Sequence, residues 1–262
     1  MTQVFEPVKF GEVSEADYAA LKCDHSLPKT KWRLKLEGRT DSLADHARNG
    51  RGDDGLVTNI VEDRGIKEPI WPPAGQVPSL AAIKKGNPGT WPHQAHHLIP
   101  WQTLDKHDVR RFLDPGWKGS KLASEANYSV NHGRNGKFMP YVSSLPEWQR
   151  TSNADRKQAI AEEVMDKLGI QLHQGPHKTE AYGAGARGYK KMVTELLNGI
   201  RLTENLHQQT CKVCEAAKTG DKFPPRKEVS VKLDWASGRL ERAIDSNETF
   251  VSLLAYFWWD VS

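Results

Sequence analysis

Gln94-Ala95-His96-His97-Leu98-Ile99-Pro100 reads as a strand that ends at a turn, because Pro100 cannot donate to a sheet ladder and fixes its own φ. On a strand, neighbouring side chains point to opposite faces, so His96 and His97 cannot do the same job in the same direction. One can ligate a metal while the other works as a base. About seventy-five residues later comes Leu172-His173-Gln174-Gly175-Pro176-His177. His173 and His177 stand four apart, which lets two imidazoles converge on one ion across a turn or helix start. Imidazole suits zinc, nickel, copper and iron. Three histidine ligands leave open positions for water or substrate.

Between these blocks, residues 127–140 hold Asn127, Asn131, His132, Asn135 and two glycines. Asn and Gly tolerate positive φ, so a tight turn is one reading of this segment. The ordered set Ala95-His96-His97-Leu98-Ile99-Pro100, Asn135-Gly136-Lys137-Phe138-Met139-Pro140 and His173-Gln174-Gly175-Pro176-His177 adds another. It resembles the AHH branch of the HNH, or His-Me finger, nucleases, over residues 91 to about 197. The resemblance implies an α+β fold with a ββα-metal core, elaborated with extra helices and short strands. It also implies a loop Asn that bonds the backbone around the base histidine. Asn135 fits that block best, with Asn127 and Asn131 as further candidates. His93, His107 and His132 read as surface or supporting residues.

The 262 residues suit one elaborated core or a core with a small subdomain. An irregular region over 1–90 is expected to pack on a nuclease-like core at 91–200, followed by an extension at 201–262. Net charge is +4, from 37 Lys and Arg against 33 acids, so charge distribution has to carry any argument for a polyanionic partner. Nine Trp and fifteen Pro suggest irregular structure pinned by aromatic anchors. Three cysteines make no disulfide framework and point to a reducing compartment. The first residues lack a basic and an apolar leader region, so no signal peptide is expected. No apolar run approaches the roughly twenty residues of a spanning helix.

Along the chain, helices are expected at 14–21, 41–51, 105–113 and 235–244, with a turn or two near 78–85. Residues 153–168 carry the clearest helical pattern, with Asn153 as cap and Gly169 closing it. Pro176 suits the first position of a helix running on through Tyr182, Tyr189 and Leu197. Alternation predicts strands at 31–36, where Lys31, Arg33 and Lys35 give a basic face, and at 56–61, 170–173 and 229–233. Residues 250–259 read as an apolar segment closing the core. Cys211-Lys212-Val213-Cys214 is a CxxC that can be half of a structural zinc site, a redox pair or two unrelated thiols. His207 and Cys23, with His25, are the candidate further zinc ligands.

What the resemblance implies for function is a metal-dependent endonuclease that hydrolyses DNA with little sequence preference. His97 would be the general base, supported by Asn135, and His96, His173 and His177 would hold a divalent ion (Zn, Mg, Mn or Ni). Lys178, Arg187, Lys190 and Lys191 would bind flanking phosphates. The same family supplies toxin domains of bacterial polymorphic or contact-delivered effectors, including type VI-secreted ones. That implies an acidic immunity protein, delivery from the bacterial cytoplasm into a target cytoplasm by a secretion machine or chaperone, and no membrane partner. Two alternatives stand beside this reading. The same site can cut RNA, or the histidines and CxxC can merely hold a zinc-stabilised nucleic-acid-binding module.

Overall fold

The computed structural model describes residues 54–70, 79–83, 91–124, 126, 128, 130–173, 187–210, 222 and 224–251, with the backbone alone at Asp54, Gly55, Arg187, His207, Gln209 and Thr210. The expected elements at 14–21, 31–36 and 41–51 lie outside these residues, as do Cys23, Cys211, Cys214 and most of 250–259. The described residues fall into two compact units. One draws on His107–Tyr128 and Leu196–Leu233, the other on Lys35–Lys106, Ser129–Glu195 and Asp234–Ser262.

In the second unit, residues expected as a strand form helix α1, Asp54–Arg64. The β-branched run there suits a strand by propensity, but Leu56 and Ile60 stand four apart and are both fully buried. They meet Trp91, Ala95 and Phe138 in one apolar cluster. Tertiary burial of a helical face thus outweighs a local preference worth well under 1 kcal/mol per residue. Each of those two side chains contributes on the order of 1.5–3 kcal/mol.

Strand β1, His93–His97, pairs antiparallel with β2, Gly136–Pro140, placing His96 opposite Lys137 and His97 opposite Gly136. A two-stranded ribbon is marginal alone, so the packing of α1 against it is what makes it persist. The strand ends at His97, three residues before Pro100, whose carbonyl accepts from the first turn of helix α2, Trp101–Lys106. The helix expected at 105–113 is interrupted at His107. That residue is extended, its Nδ1 accepts the Val109 amide, and a 3-10 turn at Asp108–Phe112 follows.

After β2 come the short helix α3, Pro146–Gln149, and α4, Ala154–Leu168. In α4 the expected ends hold: Asn153 accepts the Arg156 amide at 2.8 Å, and Gly169 takes the left-handed conformation at φ 66°. Its Ile160, Ala161, Val164 and Met165 pack with Leu80, Ile83, Val142, Leu145, Leu172 and Phe250. Residues 170–173 form no strand, although His173 donates its amide to Pro140 O, at the last residue of β2, at 3.0 Å.

Strand β3, Arg187–Gly188, leads into α5, Tyr189–Thr210, and α6 spans Lys227–Asp245. The alternation at 229–233 therefore belongs to the start of a helix: Val229, Leu233, Ala236, Leu240 and Ala243 are buried at helical spacing, while Val231 is exposed. Strand β4, Thr249–Phe250, pairs parallel with β3. The fold is α+β, built from helices and small sheets. Among the described residues no helix is long and apolar enough to cross a membrane.

Helix α1 presses so closely on the turn before β2 that added atoms there have nowhere to go. A Cβ on Gly133 would lie 2.6 Å from Asp63 Oδ2 and still nearer Asn59 O. Gly133→Ala should therefore cost about 1–3 kcal/mol of unfolding free energy, as overpacking does elsewhere. Urea denaturation beside Gly238→Ala in α6, where the nearest atom to an added Cβ is the Arg242 side chain at 3.6 Å and Ala favours the helix, separates this close approach from a general glycine effect.

Candidate active site

Alternation along β1 sends the two histidines of the pair to different surroundings. His96 is buried, its Nε2 3.0 Å from Tyr189 Oη on the first turn of α5. The His173 ring lies beside it, with ring centroids 4.6 Å apart and planes inclined by 58°. Gln94 stands two residues before His96 and so shares its face. Its Oε1 is 2.8 Å from His173 Nδ1. A carbonyl oxygen can only accept, so this contact puts the His173 proton on Nδ1 and the lone pair on Nε2.

His97 is half-buried, and its Nε2 lies 2.8 Å from Asn131 Oδ1. By the same reasoning Nε2 carries the proton, leaving Nδ1 as the basic nitrogen. The Asn131 backbone is itself held: its carbonyl accepts from Asn59 Nδ2 on α1 at 2.5 Å.

Asn135 is fully buried and acts on backbone instead of a ring. Its Oδ1 accepts from Ile99 N at 2.7 Å and from Ser237 Oγ at 2.8 Å. Its Nδ2 donates to Ile99 O at 3.1 Å and Val130 O at 2.8 Å. All four positions of the amide are filled. The Asn135 carbonyl also accepts the Leu98 amide at 2.8 Å. The end of β1 is thus sewn to the loop that precedes β2.

Two helices clamp that loop. From α1, Asp63 accepts the Gly133 amide at 2.9 Å and Arg64 donates to Gly136 O at 2.6 Å. From α6, Ser237 bonds Asn135, and Asp234 lies 3.1 Å from His132 Nδ1. Glu241 grips Arg64 through both oxygens, at 2.7 and 2.9 Å.

The other histidines have supporting partners. His93 is buried between Trp91 and Phe138 with Glu68 3.1 Å from its Nε2, and His107 starts the 3-10 turn. Lys190 and Lys191 are exposed on the first turn of α5. Asn127, His177 and Lys178 lie outside the described residues, as do the side chains of Arg187 and His207. Among the described residues, no three His, Cys, Asp or Glu side chains gather as a metal cluster.

Residues 80–219 match the profile of the AHH family, described as a nuclease family of the HNH/ENDO VII superfamily with conserved AHH. The chain belongs to this AHH nuclease family. Ala95-His96-His97 lies within the matched span, and α1 and α6 lie outside it. No curated protein and no solved structure matches the chain. Membership supports a nuclease, and nucleases of this superfamily are metal-dependent in general.

Sequence reasoning passed over Tyr189, Gln94, Asn59 and Asp63 as contributors to this centre. Gln94 was findable, since it precedes His96 by two on the same strand. The others depend on helix packing that local sequence does not encode.

Asn135→Ala should lower unfolding free energy by several kcal/mol, because each buried backbone group left unpaired costs about 1–3. Asn131→Ala removes one bond to a half-buried ring and should cost about 1 kcal/mol or less. Equal denaturation midpoints for the two variants would show that Asn135 does not hold the loop.

Proposed function

We propose that this chain is a divalent-metal-dependent endonuclease that hydrolyses phosphodiester bonds in DNA and acts as an antibacterial toxin. The observation that carries the reading is the division of the His pair. His97 is held through Nε2 by Asn131, while His96 lies on the other face of the strand against His173. The antiparallel β1–β2 pair, with these histidines at the end of β1, supports a ββα-metal core.

The donor set fits a cation. His173 gives its Nδ1 proton to an amide carbonyl, as metal-bound imidazoles commonly do, and its neighbour His96 is likewise bonded through one ring nitrogen. His96 and His173 would hold the ion, with His177 completing the set read from the sequence. Bound there, a divalent cation supplies Lewis-acid stabilisation of charge developing on the scissile phosphate. His97 Nδ1 takes a proton from water, and the resulting hydroxide attacks phosphorus as the bond to the 3′ oxygen breaks, that oxygen leaving with a proton taken from solvent. Asn131 keeps the Nε2 proton in place, so Nδ1 is the basic nitrogen. Lys190 and Lys191, next in sequence to the tyrosine that touches His96, would bind flanking phosphates together with Lys178 and Arg187.

His97→Ala should slow plasmid cleavage about 10²–10⁴-fold while leaving metal content nearly unchanged, since a base acts in the transition state and outside the ion's ligand shell. His96→Ala and His173→Ala should instead weaken metal binding. Loss of metal in His97→Ala would show that the two histidines have exchanged roles. Cleavage of RNA but not of plasmid would replace the DNA substrate.

The toxin reading requires an inhibitor in the producing cell, and an acidic protein is the chemistry that best blocks a lysine-lined phosphate surface. Expression without such an inhibitor in a bacterial cytoplasm should fragment the chromosome and stop growth. Normal growth with soluble, metal-loaded protein would remove the toxin role.

A further inference from the structure

Tyr189 is fully buried, and its hydroxyl meets three groups: His96 Nε2 at 3.0 Å, His97 O at 3.3 Å and Leu98 O. A phenol has one proton and two lone pairs. Backbone carbonyls can only accept, so the proton of Tyr189 is committed to them. Its oxygen is then left to accept, and the group that faces it from His96 must donate.

We propose that Tyr189 is a positioning residue that holds His96 as the tautomer protonated on Nε2, so that Nδ1 is the nitrogen His96 offers a divalent cation. The ligand half of this inference rests on the metal-dependent reading above; the tautomer does not. His173 has the opposite arrangement, with its proton on Nδ1 against Gln94 and its lone pair on Nε2. The two neighbouring imidazoles would therefore ligate through unlike nitrogens. A single phenol also fixes the carbonyls of His97 and Leu98, tying the orientation of the His96 ring to the backbone that carries the base.

The test is a long-range proton–nitrogen correlation spectrum of the histidines in the metal-free, ¹⁵N-labelled chain, at mildly alkaline pH where imidazole is neutral. A His96→Gln variant identifies the His96 signals. The wild type should show His96 protonated on Nε2. In Tyr189→Phe, which keeps the ring, the His96 pattern should shift toward a mixture of tautomers, and Zn²⁺ affinity measured by calorimetry should fall roughly 10–100-fold. His96 protonated on Nδ1 in the wild type would overturn the proposal. So would an unchanged pattern in a folded Tyr189→Phe with Zn²⁺ affinity within about twofold of wild type, the range of a lost contact with no bearing on the ligand. If Tyr189→Phe does not fold, the wild-type spectrum alone decides. A wild type that binds no divalent ion would sink the metal-dependent reading, while the tautomer is recorded before any metal is added.

Discussion

The amide of Asn135 has a bond at each of its four positions, and the geometry of the His pair depends on that saturation. The bend that carries the chain from the end of β1 to Pro100 leaves backbone groups with no ladder partner. Asn135 supplies the missing partners at Ile99 N and O from within the buried interior, where water is not there to do so. An apolar residue of the same size would leave those groups unpaired, and an aspartate could not donate to Ile99 O and Val130 O. The requirement is for one neutral side chain that both accepts and donates.

Division of labour at the centre follows from the pleat. Because His96 and His97 leave β1 on opposite faces, His96 meets the phenol of Tyr189, with Gln94 holding the neighbouring His173 on the same side, and His97 meets the amide of Asn131 on the other. Adjacent residues can thus hold their Nε2 protons against different partners and in different electrostatic surroundings, without competing. Helices α1 and α6 then hold the Asn131–Gly136 loop from the two ends of the described chain.

What local sequence made legible was whatever has a local cause. The turn between the His pair and Pro100, the separation of that pair and the capped helix from Asn153 to Gly169 each follow from backbone chemistry within a few residues. The ordering of the histidine and asparagine blocks carried the family. What stayed hidden was set by distant packing. Residues 56–61 and 229–233 look like strands because five or six positions do not separate a period of 2 from one of 3.6, and the burial of Leu56, Ile60, Val229 and Leu233 against other elements makes the difference. Tyr189 looked like one more apolar position on a helix. Its role comes from a hydroxyl that reaches ninety-three residues back along the chain.

The clamp on the asparagine loop also orders events in time. Asn59 and Asp63 bond residues 72 and 70 positions further on, and Ser237 bonds one 102 positions earlier. Contacts so distant in sequence close only after long stretches of chain have been made and collapsed. During synthesis, the histidine pair emerges from the ribosome well before Ser237, so for about 140 residues the nascent chain carries His96 and His97 without the α6 half of their support. Alignment of the site thereby waits on chain that is made long after the histidines themselves.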